Sequence, residues 1–168
     1  TTAIEEHVAS IQQLPVLNIS KIRRRKFKLV VDCCHGAGGA ILSHLFDLLG
    51  CSVIYHDFEP TGLFSRNPEP IPENLGELCA KVKKHRADLG IAVDPDVDRL
   101  AFVSEEGRPL GEEYTLVLAA RFVLSRKPGE VVTNASTTRA LDDVAAQFNS
   151  SVQRTPVGEI HVAIRAAE

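Results

Sequence analysis

Apolar residues recur at Ile4, Val8 and Ile11, a spacing of three to four that predicts an amphipathic helix over residues 2–14, stopped by Pro15. The pattern changes at residues 27–32, where FKLVVD is a short, β-rich run of the kind buried on both faces of a sheet. Gly36, Gly38 and Gly39 then supply a tight turn. Ile41, Leu42, Leu45, Phe46, Leu48 and Leu49 outline a strongly apolar helix that ends at Gly50. Residues 51–56 read as a second strand. Residues 57–72 hold Pro60, Pro68, Pro70, Pro72 and Gly62, so they form a long loop, and loops of that length in compact domains usually serve function.

A helix is expected over 73–85, with Leu75, Leu78, Cys79 and Val82 facing inward, and a strand over 89–93. The chain continues through a short acidic loop into a strand at 100–103, turns at Glu106-Gly107, and enters a helix over 112–124 that points Leu116, Ala119, Ala120 and Val123 inward. Lys127-Pro128-Gly129 breaks the pattern, and strand–helix–strand–helix begins afresh over 131–133, 137–148, 152–154 and 159–167. The expected organisation is one domain over 1–127 and the incomplete start of a second over 128–168, which is too short to hold a sizeable core unaided. The fold class is α/β: a three-layer α/β/α arrangement with a mixed, mostly parallel sheet, plus a partial second α/β unit at the C-terminus. Ligands of such sheets sit beyond the carboxyl ends of the strands, which directs attention to residues 32–39, 57–72 and 94–99.

Composition changes this picture little. An apolar share of 44% and a charged share of 24% are those of an ordinary globular protein, and a formal charge of −3 argues against a general binder of nucleic acid or anionic membranes. The basic run Arg23-Arg24-Arg25-Lys26 reads as a solvated strand entrance. Cys33, Cys34, Cys51 and Cys79 form no CxxC pair and read as small apolar residues, which suits a reducing cytoplasm. No apolar run approaches the ~20 residues of a membrane span, and no signal-peptide pattern is legible. A chain that starts at Thr1 and lacks methionine suggests a truncated or processed N-terminus.

The informative stretch is Asp94-Pro95-Asp96-Val97-Asp98-Arg99, placed directly after a strand. Three carboxylates held close repel one another, and a hard divalent cation resolves the conflict. If the loop is extended, alternate residues share a side, so Asp94, Asp96 and Asp98 converge, with Pro95 restricting the backbone around it. Arg99 then offers a planar, bidentate donor set to a phosphate. An EF-hand is excluded, because Arg99 occupies the position that needs glycine and strands flank the loop. A dinucleotide fingerprint at Gly36-Ala37-Gly38-Gly39 fails because Ile41 stands where its third glycine belongs, and a P-loop lacks its Lys-Ser/Thr pair.

These residues resemble the α-D-phosphohexomutases. Asp94 to Arg99 resembles their metal loop, although Pro95 replaces the usual small residue. Val30-Val31-Asp32 with His35-Gly36-Ala37-Gly38-Gly39 is similar to the opening strand and turn of their second domain. Asn67-Pro68-Glu69-Pro70 with Glu73-Asn74-Leu75 is similar to its long loop and next helix, and Thr155-Pro156-Val157-Gly158 resembles a turn early in the third domain. Gly111-Glu112-Glu113-Tyr114 and Asn134-Ala135-Ser136-Thr137-Thr138-Arg139 lean toward phosphoglucosamine mutase-like members.

The resemblance implies a four-domain enzyme in which a phosphoserine of the first domain exchanges a phosphoryl group with a hexose phosphate. Magnesium is held beside it by Asp94, Asp96 and Asp98, and Arg99 contacts the transferring phosphoryl. The serine motif, the third domain's sugar loop and the fourth domain are missing, so the implied partners are a hexose phosphate and domains 1, 3 and 4 of a longer chain. Catalysis by this segment alone is not expected, because phosphoryl transfer depends on positioning and charge stabilisation that those parts provide. Self-association through a truncated edge near Glu168, to a homodimer, is a further expectation. His35 in the glycine turn and Arg66 in the proline-rich loop are candidate phosphate or substrate contacts. His161, Arg165, Ser65, Ser104 and Ser136 receive no role.

Overall fold

In the computed structural model, which describes residues 2–168, side chains alternate along β1 (Lys28–Asp32) so that Val30 faces one side of the sheet and Leu29 and Val31 the other. β1 pairs in parallel with β2 (Ser52–His56) and with β3 (Leu89–Val93), and β3 pairs antiparallel with β4 (Leu100–Ser104), giving the order β2-β1-β3-β4. This is the mixed, mostly parallel sheet that the sequence predicts.

Helix α3 (Gly38–Leu49) covers one face, packing Phe46, Leu42 and Leu49 on Leu29, Val31 and Ile91. Helix α4 (Gly76–His85) covers the other, packing Leu78 and Val82 on Val30, Ala92, Ala101 and Val103. Three layers result because the sheet is apolar on both faces and each face needs a cover. Close approach is enforced at Gly90, where an added Cβ would stand 2.6 Å from Cγ2 of Val82.

Helix α1 (Ala3–Gln12) starts at a capping box in which Thr2 and Glu5 satisfy each other's backbone N–H groups, and it packs on α3. The basic run is a correction. Residues Ile19–Arg25 form helix α2, capped by the Asn18 side chain on the Lys21 N–H, not a strand entrance. The signal was present in the Asn18 cap and in three arginines placed in the last turn, where cations favour the helix C-terminus.

The chain divides after Glu112. The second unit holds α5 (Glu113–Leu124), β5 (Val131–Asn134), α6 (Ala140–Gln147), β6 (Val152–Thr155) and α7 (Glu159–Ala167), with β5 and β6 parallel. The sequence placed the break at 127/128 because Pro128-Gly129 is the stronger punctuation. Packing decides otherwise, since Val117 and Ala120 of α5 join Leu141 and Val144 of α6 in one cluster. The inward face of α5 also differs from expectation. Val117 and Leu124 are buried, whereas Leu116 and Val123 are exposed on a groove shared with Val131 and Val132. Among the described residues no helix is long and apolar enough to cross a membrane.

Candidate metal and phosphate site

Three chain segments meet at the carboxyl ends of β1, β2 and β3. The first, residues 33–37, reverses direction through left-handed backbone at Cys34 (φ 51°) and His35 (φ 52°). It is pinned at each step: the Cys34 N–H donates to Asp32 Oδ1 at 2.8 Å, the His35 N–H to the Asp57 carbonyl at 2.8 Å, and the Ala37 N–H to the Pro95 carbonyl at 2.8 Å. Gly36 is required here. A Cβ on it would lie 2.4 Å from the Pro95 Cα and 2.6 Å from its carbonyl oxygen, both backbone atoms that cannot swing away. All four cysteines are free thiols, and burial pushes the Cys33 thiol up to about 12.

The second segment is the acidic loop. It does not run extended, contrary to the expectation from the alternating acids. It turns, with the Val97 N–H donating to the Asp94 carbonyl at 3.2 Å and Val97 itself at φ 66°, an uncommon conformation for a β-branched residue. Convergence of the acids is nevertheless the outcome. One oxygen from each of Asp94, Asp96 and Asp98 lies within 4.8 Å of the others, with Asp94 buried and the other two exposed. The buried Asp94 also accepts the Arg99 N–H on Oδ1 at 3.1 Å.

Ligand oxygens around an octahedral magnesium stand about 3.0–4.2 Å apart, so the three carboxylates need only a small inward rotation to close on one ion. Hard oxygen donors of this number and charge fit magnesium or manganese and not a soft thiolate-seeking metal. The electrostatics agree. The Asp98 carboxyl is raised above its ordinary range, first by its hydrogen bond with Asp94 and then by repulsion from Asp96 and Asp94.

That shift has a sign. A carboxyl whose folded-state value is raised costs stability as pH climbs through the window between its ordinary and raised values, and the full penalty is present above it. Asp98→Asn is therefore expected to raise the melting temperature of the metal-free chain slightly at neutral pH, because removing one charge relieves the repulsion from Asp96 and Asp94. The gain should vanish in acid below the ordinary carboxylate range. A melting temperature unchanged or lowered at neutral pH would contradict this.

The third segment is the proline-rich loop. Arg66 donates through Nε to Asp32 Oδ2 at 2.8 Å, through Nη1 to the carbonyls of Asn67 (2.9 Å) and Pro68 (2.8 Å), and through Nη2 to the Val93 carbonyl at 2.9 Å. Its guanidinium is committed to the protein itself. His35 is similarly held, with Nδ1 at 2.9 Å from the Glu59 carbonyl and Nε2 at 3.3 Å from Asp57 Oδ1. Ser65 donates to the other oxygen of Asp57.

Arg99 is different. It is half exposed, and its Nη1 pairs with Oε1 of Glu69, which is exposed too, at 3.1 Å. That hydrogen bond, with the charge of Glu112 behind it, keeps Arg99 firmly cationic. Sequence reasoning missed Asp32 and Glu69. For Asp32 a signal existed: an acid following the apolar run Leu29-Val30-Val31 of a doubly covered strand needs a cationic partner.

Two family matches cover almost the whole chain. Residues 5–107 match "Phosphoglucomutase/phosphomannomutase, alpha/beta/alpha domain II", and residues 111–168 match domain III of the same family. A Methanopyrus kandleri protein named "Probable phosphoglucosamine mutase" is 38% identical over 99% of this chain and 36% of its own length. A Thermococcus kodakarensis phosphoglucomutase/phosphomannomutase is 40% identical over 88% of this chain and 33% of its own. Among solved structures, a phosphoglucomutase/phosphomannomutase family protein from Burkholderia thailandensis superposes with a TM-score of 0.75 at 30% identity, over 89% of this chain and 34% of that one. The chain thus spans about a third of the length of the curated relatives it matches.

Proposed function

Since the chain belongs to the phosphoglucomutase/phosphomannomutase family, we propose that it carries the magnesium-binding and phosphate-contacting part of a phosphohexomutase, with glucosamine phosphate as the favoured substrate. The observation that carries this reading is the convergence of Asp94, Asp96 and Asp98 beside an exposed arginine at the carboxyl ends of the parallel strands β1, β2 and β3. The preference for glucosamine phosphate rests on the name of the Methanopyrus relative and on the segments 111–114 and 134–139.

In this reading the three carboxylates hold magnesium, which neutralises charge on the transferring phosphoryl group. Arg99 leaves Glu69 and presents its guanidinium to the phosphate oxygens. Asp94, buried and accepting the Arg99 backbone N–H, ties a metal-ligand position directly to the arginine. The serine donor and the remaining substrate contacts belong to the further length that the relatives possess, in a cytoplasmic enzyme phosphorylated on that serine. The 168-residue chain alone is inactive, and any self-association is a homodimer.

Phosphorus NMR tests this with glucosamine, glucose and mannose 6-phosphates plus magnesium. The protein translated from the uninterrupted reading frame is expected to interconvert the 1- and 6-phosphates, fastest for glucosamine, while the 168-residue chain does not. Absence of interconversion by the longer protein, or turnover by the chain alone, would contradict the proposal.

A further inference from the structure

We propose that Arg66, through its pairing with Asp32, is the positioning residue that sets the geometry of the acidic loop. The inference rests on the reading of Asp94, Asp96 and Asp98 as a divalent-cation site. Arg66 reaches none of these carboxylates through any bond in the structure, and it acts through the backbone that presents them.

Four contacts carry the case. Nη2 donates to the Val93 carbonyl, the last peptide before Asp94, so the direction in which the chain leaves β3 depends on this bond. Nε is held by Asp32, the last residue of β1, the strand beside β3. Nη1 gathers the Asn67 and Pro68 carbonyls, which places Glu69 next in line to meet Arg99. A single planar cation therefore ties two strand ends and the proline-rich loop to one another.

The side chain is well suited to this. Arg66 is 12% exposed and Asp32 2%, so the pair is shielded from solvent competition. Asp32 spends its other oxygen on the Cys34 N–H, which anchors the glycine turn whose Ala37 N–H grips the Pro95 carbonyl. The acidic loop is thus gripped immediately before and immediately after Asp94, and both grips trace back to Asp32. A lysine in place of Arg66 keeps the charge but, as a compact ammonium on a flexible stem, it cannot serve Asp32, Val93 and two loop carbonyls at once. Groups that orient metal ligands typically contribute about 10–100-fold to metal affinity.

The experiment is a titration of the 168-residue chain with Mn2+, read from the electron paramagnetic resonance signal of the free ion, for the wild type, Arg66→Lys, Asp32→Asn and Val82→Ala. Val82 is fully buried in the α4 layer, and its truncation lowers stability without touching any of the contacts above. Arg66→Lys and Asp32→Asn are expected to weaken Mn2+ binding about tenfold or more while circular dichroism stays native, with Val82→Ala within about twofold of wild type. Should Arg66→Lys not fold, Asp32→Asn decides. Wild-type affinity in a folded Arg66→Lys or Asp32→Asn would overturn the inference, as would an equal loss in Val82→Ala. A wild type that binds no Mn2+ overturns the metal-site reading itself and this inference with it.

Discussion

Gly36→Ala is expected to cost about 3 kcal/mol of folding stability, at the upper end of what overpacking a tight site costs. The added methyl would sit 2.4 Å from the Pro95 Cα and 2.6 and 2.9 Å from its carbonyl oxygen and carbon. Flexible side chains yield to such contacts, but here every atom met is backbone. Relief requires the glycine turn and the acidic loop to separate, which breaks the 2.8 Å bond from the Ala37 N–H to the Pro95 carbonyl. The consequence is therefore more than a loss of stability. The same movement displaces Pro95, and with it Asp94 and Asp96 on either side. Urea unfolding followed by circular dichroism checks the first effect, and the Mn2+ titration described above checks the second. A penalty below about 0.5 kcal/mol with unaltered ion binding would mean that the two loops are not mechanically joined.

Much of this architecture is legible from sequence, for reasons visible in particular residues. The apolar run at 27–32 reads as a strand because both faces of β1 are covered, by α3 and α4 respectively. The helix ending at Gly50 is legible because that glycine does adopt the left-handed cap, at φ 66°. The acidic loop stands out because carboxylates at such spacing are costly without a cation. What the sequence does not disclose is long-range pairing. Arg66 is 34 positions from Asp32, and nothing local marks it as a brace and not a solvent- or substrate-facing arginine. The inner face of α5 was misread because Leu116 and Val123 are as apolar as Val117 and Leu124, so the pattern alone leaves the facing side undetermined. The loop conformation was misread for another reason: Val97 at positive φ violates its local preference and is held there by the surrounding turn.

The second large effect concerns the ion. Asp96 is exposed and among the described residues makes no side-chain hydrogen bond like the one Asp94 accepts from the Arg99 N–H, so Asp96→Asn removes one negative charge from the cluster and leaves the loop intact. A carboxylate placed about 2 Å from a divalent cation interacts at several times thermal energy even in water, so magnesium affinity is expected to fall on the order of tenfold or more. Asp94→Asn should fall at least as far and also loosen the Arg99 backbone.

The central claim is that these three acids exist to hold a divalent cation against a phosphate, and isothermal titration calorimetry with MgCl2 tests it most directly. The account predicts a saturable, single-site magnesium heat for the wild-type chain that Asp96→Asn loses or shifts to much higher concentration. The same magnesium response in both proteins would contradict it.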